Sequence, residues 1–153
     1  IIKYSYFSPI GKRGFNPYIS AGGYTGKNND FFKKANEHLS LGIILEGREA
    51  FENIDEILAN EQIDIVYIGQ YDLSVALDVP GDITNPKVLD MMKVSVEKIN
   101  RANKMAGCMV QNIEEAKKII NQNFSFIVYK VDSGILYESV NEFVKGVYSN
   151  EII

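Results

Sequence analysis

Apolar residues along this chain fall into four short runs, and behind each run they recur at helical spacing. The runs are LGIILE (41–46), IDIVYIG (63–69), AGCMV (106–110) and FSFIVYKV (124–131), each of strand length. Behind the first, Ala50, Phe51, Ile54, Ile57 and Leu58 of REAFENIDEILAN repeat at i, i+3, i+4 and i+7, the signature of one helical face. Behind the second, turn-rich DVPGDITNP leads to a long helix that Asn85 caps with Pro86 in its first turn. Behind the third, Asn112 and Glu115 of NIEEAKKIINQN have capping-box spacing, with Asn in place of the usual Ser or Thr. SGILYESVNEFVKGVY supplies the fourth helix. Four consecutive βα units predict an α/β fold with a parallel sheet.

The first forty residues read differently. SPIGKRGFNPYISAGGYTGKN (8–28) has the Gly, Pro, Ser and Asn content of a loop, and NDFFKKANEHLS predicts a short helix capped by Asn29 or Asp30. At 153 residues and 46% hydrophobic content the chain has material for one core, hence one domain over 1–153: a glycine-rich loop and helix (1–40), then the four units (41–153). Two architectures fit: a small open doubly wound sheet, or half of a TIM (β/α)8 barrel. Neither GxGxxG nor GxxxxGK[ST] occurs, so the usual dinucleotide and phosphate loops lack their motif.

Charge and cysteine use narrow the class further. A net charge of -4, with Lys and Arg spread among the acids, argues against a nucleic-acid surface. No apolar run approaches the ~20 residues of a membrane span, and no charged-then-apolar leader opens the chain. The single cysteine, Cys108, forms no internal disulfide and suits a reducing, cytoplasmic setting as a small buried residue. The sequence opens IIKYSYFSPIG without a methionine, as a fragment, a processed product or a trimmed chain would.

Chemistry is concentrated where strands end. In YIGQYDLSVAL (67–77) an apolar run stops at Gly69 and presents Asp72, while Glu46 closes the first run. In either architecture the carboxyl ends of neighbouring parallel strands share one face, so the two acids are expected to converge. Two close carboxylates repel unless a cation or a proton lies between them, and such oxygen ligands suit Mg²⁺ or Mn²⁺. The competing reading of Asp72 is that of a helix cap.

LGIILEGREAFENIDEILANEQIDIVYIGQYDLSVALDVPGDITNPKV closely resembles the second half of the HpcH/HpaI family, the class II pyruvate aldolases typified by 2,4-dihydroxyhept-2-ene-1,7-dioate aldolase. There a strand ending Gln-Ile-Glu precedes a helix and a later strand ends Ile-Gly-Pro-x-Asp-Leu-Ser. SPIGKRGF is similar to the family's Pro-Pro-x-Gly-x-Arg-Gly segment and VDSGIL to its last strand-to-helix turn. The resemblance implies the second half of a (β/α)8 barrel of the phosphoenolpyruvate/pyruvate type. It implies that Glu46 and Asp72 hold a divalent metal, which chelates pyruvate or another 2-oxo acid and stabilises an enolate. Gly69 and Tyr71 fall on the substrate-binding stretch, where glycine lets substrate approach closely. Arg13 falls in the glycine-rich loop, as a partner for an anionic substrate or as a solvent-exposed arginine.

The departures are specific. Ile44 replaces a Gln two positions before the first acid, and Gln70-Tyr71 replaces Pro-Ala before the second. The half that carries the family's histidine base and a pyruvate-contacting arginine has no counterpart in these residues. His38, the only histidine, precedes the first strand, the wrong end for a barrel's catalytic face, and reads as a surface or helix-end residue. Tyr67, Tyr71, Tyr129 and Tyr137 read as packing aromatics. The function expected is therefore a metal-dependent aldolase, of which this chain carries the metal-binding half. The alternatives are a non-catalytic half barrel whose open edges pair with a partner or a second copy, and a citrate lyase β subunit-like enzyme, which IGQYDLS disfavours. The resemblance and the open edges both imply a homo-oligomer.

Overall fold

The computed structural model describes residues 1–20, 24 and 30–148. Two helices come first, α1 (Ile2–Ser5) and α2 (Phe31–His38). Then follow β1 (Gly42–Leu45), α3 (Arg48–Glu52), α4 (Ile54–Leu58), β2 (Ile65–Ile68), α5 (Gln70–Ala76), α6 (Pro86–Arg101), β3 (Met105–Val110), α7 (Ile113–Asn121), β4 (Phe126–Tyr129) and α8 (Asp132–Tyr148). The strands lie in the order β1-β2-β3-β4, each parallel to its neighbour. Four βα units and a parallel sheet are thus observed, with strand ends moved by one or two residues from those read in the sequence.

Strand alternation sorts the sheet's two faces. Leu45, Val66, Ile68, Ala106, Cys108 and Val110 point into a core shared with Phe51, Ile54 and Leu58 of α3 and α4, Leu73 of α5, Val88, Met92, Val96 and Ile99 of α6, and Ile119 of α7. The opposite face carries three rows: Gly42, Ile65 and Met105; then Ile44, Tyr67, Gly107 and Phe126; then Met109 and Val128. None of the described helices packs on that face, and Ile44, Met105 and Phe126 remain 58%, 39% and 37% exposed. Gly107 is required here: a Cβ would sit 2.8 Å from the Phe126 ring, which folds across it.

Local chemistry explains the helix ends. The Asn85 side-chain oxygen accepts the Lys87 N–H at 3.1 Å, and Pro86 opens α6 as expected. Asn112 accepts the Glu115 N–H at 2.9 Å, but the Glu115 carboxylate returns to the Gln111 N–H at 2.8 Å, one residue further back than a capping box predicts. Asp30 stands at the N-cap position of α2; Asn29 lies outside the described residues, as do residues 21–23 and 25–28 of the predicted loop.

Two expectations are corrected. The single helix predicted for REAFENIDEILAN breaks at Asn53 into α3 and α4. The Asn53 backbone leaves helical geometry (φ -99°, ψ 17°) while its side-chain amide donates to the Glu49 carbonyl at 2.9 Å, the local competition that makes Asn a poor interior helix residue. The fourth helix, α8, forms but buries none of its residues, leaving Leu136, Tyr137 and Phe143 67%, 70% and 72% exposed. Its strand, β4, is an edge strand of the sheet among the described residues.

The N-terminal segment is tied down by named contacts. Tyr6 is buried in the core and its hydroxyl donates to the Gln62 carbonyl at 3.2 Å. The Asn36 amide of α2 brackets Phe7, accepting its N–H at 2.8 Å and donating to its carbonyl at 3.0 Å. Phe7, Phe15, Phe31 and Phe32 form a cluster of tilted and edge-on rings with centroids 4.7–6.2 Å apart, which folds the loop onto α2.

Candidate functional site

Glu46 is the residue immediately after β1 and continues the alternation of Gly42 and Ile44, which carries it to the rim of the uncovered face. Gly69 follows β2 in the same register. A Cβ on Gly69 would lie 3.1 Å from Glu46 Cβ, closer than ordinary contact, and 3.5 Å from Ile44 Cγ2, so the bare glycine lets the two strand ends meet without crowding Glu46. The Gly69 N–H donates to the Leu45 carbonyl at 2.9 Å and fixes the approach. With φ at -77°, Gly69 is needed for space and not for an unusual backbone. The nearest neighbour of that space is Glu46 itself.

Gly69 is also the N-cap of α5, and its carbonyl accepts the Leu73 N–H at 2.8 Å. The cap position that Asp72 was a candidate for is therefore occupied, and Asp72 falls in the first turn, where a carboxylate is favoured by the helix dipole. Glu46 and Asp72 are both exposed, and among the described residues neither has a hydrogen-bond or ion-pair partner. Tyr71, between Gln70 and Asp72, is 48% exposed.

A contact that the sequence reading missed links these two segments. Arg48, two residues after Glu46, donates to the Ala76 carbonyl at the end of α5 and pairs with Asp78 at 3.1 Å. It clasps the element that carries Glu46 to the helix that carries Asp72. The only local signal was the sequence Glu46-Gly47-Arg48 ahead of a turn in which Asp78 takes a φ of +62°.

The other singled-out residues lie apart. Arg13 is exposed, with its guanidinium 4.9 Å from the Phe7 ring centroid and its N–H donating to the Tyr6 carbonyl at 2.9 Å. His38 is the exposed last residue of α2, as read from the sequence. Tyr67 is half-buried in the middle row of the uncovered face, and burial pushes its phenol above the usual range. Tyr71, Tyr129 and Tyr137 are exposed instead of packed: Tyr71 lies in the first turn of α5, Tyr129 ends the edge strand β4, and Tyr137 lies on the unburied α8. Cys108 is fully buried, and burial pushes its thiol up to about 12.

The donor set suits a hard divalent cation. Two carboxylates offer oxygen ligands only, the chemistry of Mg²⁺ or Mn²⁺ more than of Zn²⁺, and such ions keep waters or substrate oxygens in their remaining positions. Among the described residues no group of three or more His, Cys, Asp or Glu gathers as a metal cluster.

Comparison with known proteins meets this geometry. Residues 6–138 match the model of the HpcH/HpaI aldolase/citrate lyase family. The chain belongs to that family. It is 30% identical over 141 residues to a 2-keto-3-deoxy-L-rhamnonate aldolase of Klebsiella pneumoniae, a match spanning 92% of this chain and 53% of that protein. It is 29% identical to the protein of the same name from Salmonella agona, with the same coverage. In structure it is similar to an HpcH/HpaI aldolase from Desulfitobacterium hafniense, with a TM-score of 0.86 at 21% identity, over 99% of this chain and 58% of that one. A family protein from Burkholderia cenocepacia also gives 0.86 at 21% identity, over 95% and 58%. The chain thus spans about half the length of the curated relatives it matches.

Proposed function

We propose that this chain carries the metal-binding half of a metal-dependent carbon-carbon lyase that cleaves or forms a 4-hydroxy-2-oxo acid. The observation that carries the reading is the close approach of Glu46 to Gly69, the N-cap of the helix that holds Asp72 in its first turn, at adjacent carboxyl ends of a parallel sheet. Strand ends of this kind hold the catalytic groups of (β/α)8 barrels. A sheet covered by helices on one face supports the half-barrel architecture over a doubly wound sheet, which takes helices on both faces.

In this reading Glu46 and Asp72 hold Mg²⁺ or Mn²⁺, and Arg48 keeps their carriers in register. A divalent cation, when bound, supplies Lewis acidity toward the keto oxygen of a 2-oxo acid. Tyr71 presents its phenol beside Asp72 as a hydrogen-bond partner for substrate, while Arg13, held over Phe7, offers its guanidinium to a carboxylate. His38 ends α2 ahead of β1, at the amino end of the first strand, and is not assigned as base. The relatives' name, an aldolase, supports this branch of the family over the citrate lyase branch. We further place the protein in the cytoplasm, as a homo-oligomer acting on a small-molecule substrate; the lone buried thiol and the open sheet edges support this.

Calorimetric titration of pyruvate with and without Mn²⁺ tests the reading. The expected outcome is at least about tenfold tighter binding with the metal, some 1.4 kcal/mol, and loss of that gain in Glu46→Gln. Pyruvate binding indifferent to metal, or a gain that survives the substitution, overturns it.

A further inference from the structure

We propose, on the reading of Glu46 and Asp72 as metal ligands, that Ser74 is a positioning residue: its buried hydroxyl ties the peptide before Asp72 to the turn after α5 and so holds that carboxylate in place. Ser74 is fully buried within α5, two residues beyond Asp72. Its hydroxyl donates at 2.5 Å to the Tyr71 carbonyl, which belongs to the peptide joining Tyr71 to Asp72. The same oxygen accepts the Gly81 N–H at 2.8 Å. Bonding back to its own helix is a common way for a serine to be satisfied. The second bond differs, since it comes from outside the helix and makes the hydroxyl a link between two segments.

The end of α5 brings Gly81 to that oxygen. Leu77 is the C-cap, and Asp78 follows with a φ of +62°. The Asp78 N–H donates to the Val75 carbonyl at 3.1 Å and the Val79 N–H to the Ser74 carbonyl at 2.9 Å. This is the paired bonding of a Schellman ending, with Asp where Gly is usual and Asn occasional. It reverses the chain, and Gly81, with a φ of +81°, returns to the Ser74 side chain.

The turn held in this way is the one that Arg48 grips through Asp78 at 3.1 Å. A path of polar contacts and short backbone thus runs from the segment of Glu46 through Arg48, Asp78 and Gly81 to Ser74 and the peptide of Asp72. On the other side the Gly69 N–H closes onto the Leu45 carbonyl. Asp72 is exposed, so the fold acts on it through its backbone. Loss of the Ser74 hydroxyl opens the path next to Asp72. Groups that orient a metal ligand typically change affinity about 10- to 100-fold when removed.

Mn²⁺ titration followed by electron paramagnetic resonance is the test, on the full chain and on Ser74→Ala, with Ser95→Ala as the matched control. Ser95 is also a buried helical serine, on α6. Affinity is expected to fall about tenfold in Ser74→Ala. The lines of its bound Mn²⁺ should broaden at saturating metal, because the ligand arrangement is looser. Ser95→Ala should bind as the wild type does, with all three proteins folded by circular dichroism. Unchanged affinity or unchanged lines in Ser74→Ala overturns the proposal and leaves the metal reading standing. An equal loss in both variants, or a Ser74→Ala that does not fold, also overturns it, because the hydroxyl then serves the fold alone. A folded wild type that binds no Mn²⁺ overturns the metal reading itself, and this proposal with it.

Discussion

At Gly69 a single missing side chain governs the site. The 3.1 Å between its would-be Cβ and Glu46 Cβ is tighter than ordinary contact, so an added methyl must displace Glu46. Gly69→Ala is expected to weaken Mn²⁺ binding about tenfold, or 1.4 kcal/mol, in calorimetry; unchanged affinity would separate Glu46 from the metal. Cys108 offers a second residue-scale test. Its folded thiol titrates at about 12, above the unfolded value near 9, so the folded state holds the proton longer. The contribution is fully present below pH 9 and is lost as pH rises toward 12. The urea midpoint of the wild type should therefore fall faster over pH 9–11 than that of Cys108→Ala. Parallel curves would contradict it. The acids and the buried cysteine were legible in the sequence because each is an exception within an apolar run. Arg48 was not, since its partners Ala76 and Asp78 lie about thirty residues away and are brought close only by the β1–β2 pairing.

Elements followed their local signals wherever those signals were self-sufficient. The four strands, the Asn85-Pro86 start of α6 and the Asn112 cap of α7 all formed where composition placed them. The break at Asn53 did not show in periodicity, because the apolar spacing continues across it while the side-chain amide takes a backbone carbonyl. The Asn85 cap also organises the turn ahead of it: the Asn85 and Thr84 side chains donate to Asp82 and hold its carboxyl below the usual range. Asn85→Ala is expected to cost about 1 kcal/mol of stability, the usual worth of an N-cap. By the same bonds, Asp82 favours the folded state above its unfolded pKa, and that preference fades as pH falls through its lower folded value. The penalty of Asn85→Ala should thus shrink on acidification from pH 6 to pH 3 in thermal melts. A penalty independent of pH would assign it wholly to the helix cap.

Among the described residues the parallel sheet carries its helices on one face. Periodicity predicted the βα units but could not choose between a doubly wound sheet and half a barrel, because both demand the same strands and the same amphipathic helices. Burial shows which face the described helices cover: Val66, Ile68, Ala106 and Cys108 are sealed, while Ile44, Met105 and Phe126 in the neighbouring positions are not. Amphipathic patterning also overestimated the burial of α8, none of whose residues is buried. The resemblance in the sequence picked out both acids; the close approach of Glu46 to Gly69 needed the register of β1 and β2. The family and the fold are thereby established, and the site at the strand ends is where the functional proposal stands or falls.

Mn²⁺ binding by electron paramagnetic resonance tests that claim most directly, with the wild type set beside Glu46→Gln combined with Asp72→Asn. The account predicts one Mn²⁺ bound per chain in the wild type and none in the double variant at the same concentrations, with both folded by circular dichroism. Equal binding by the two proteins would contradict it.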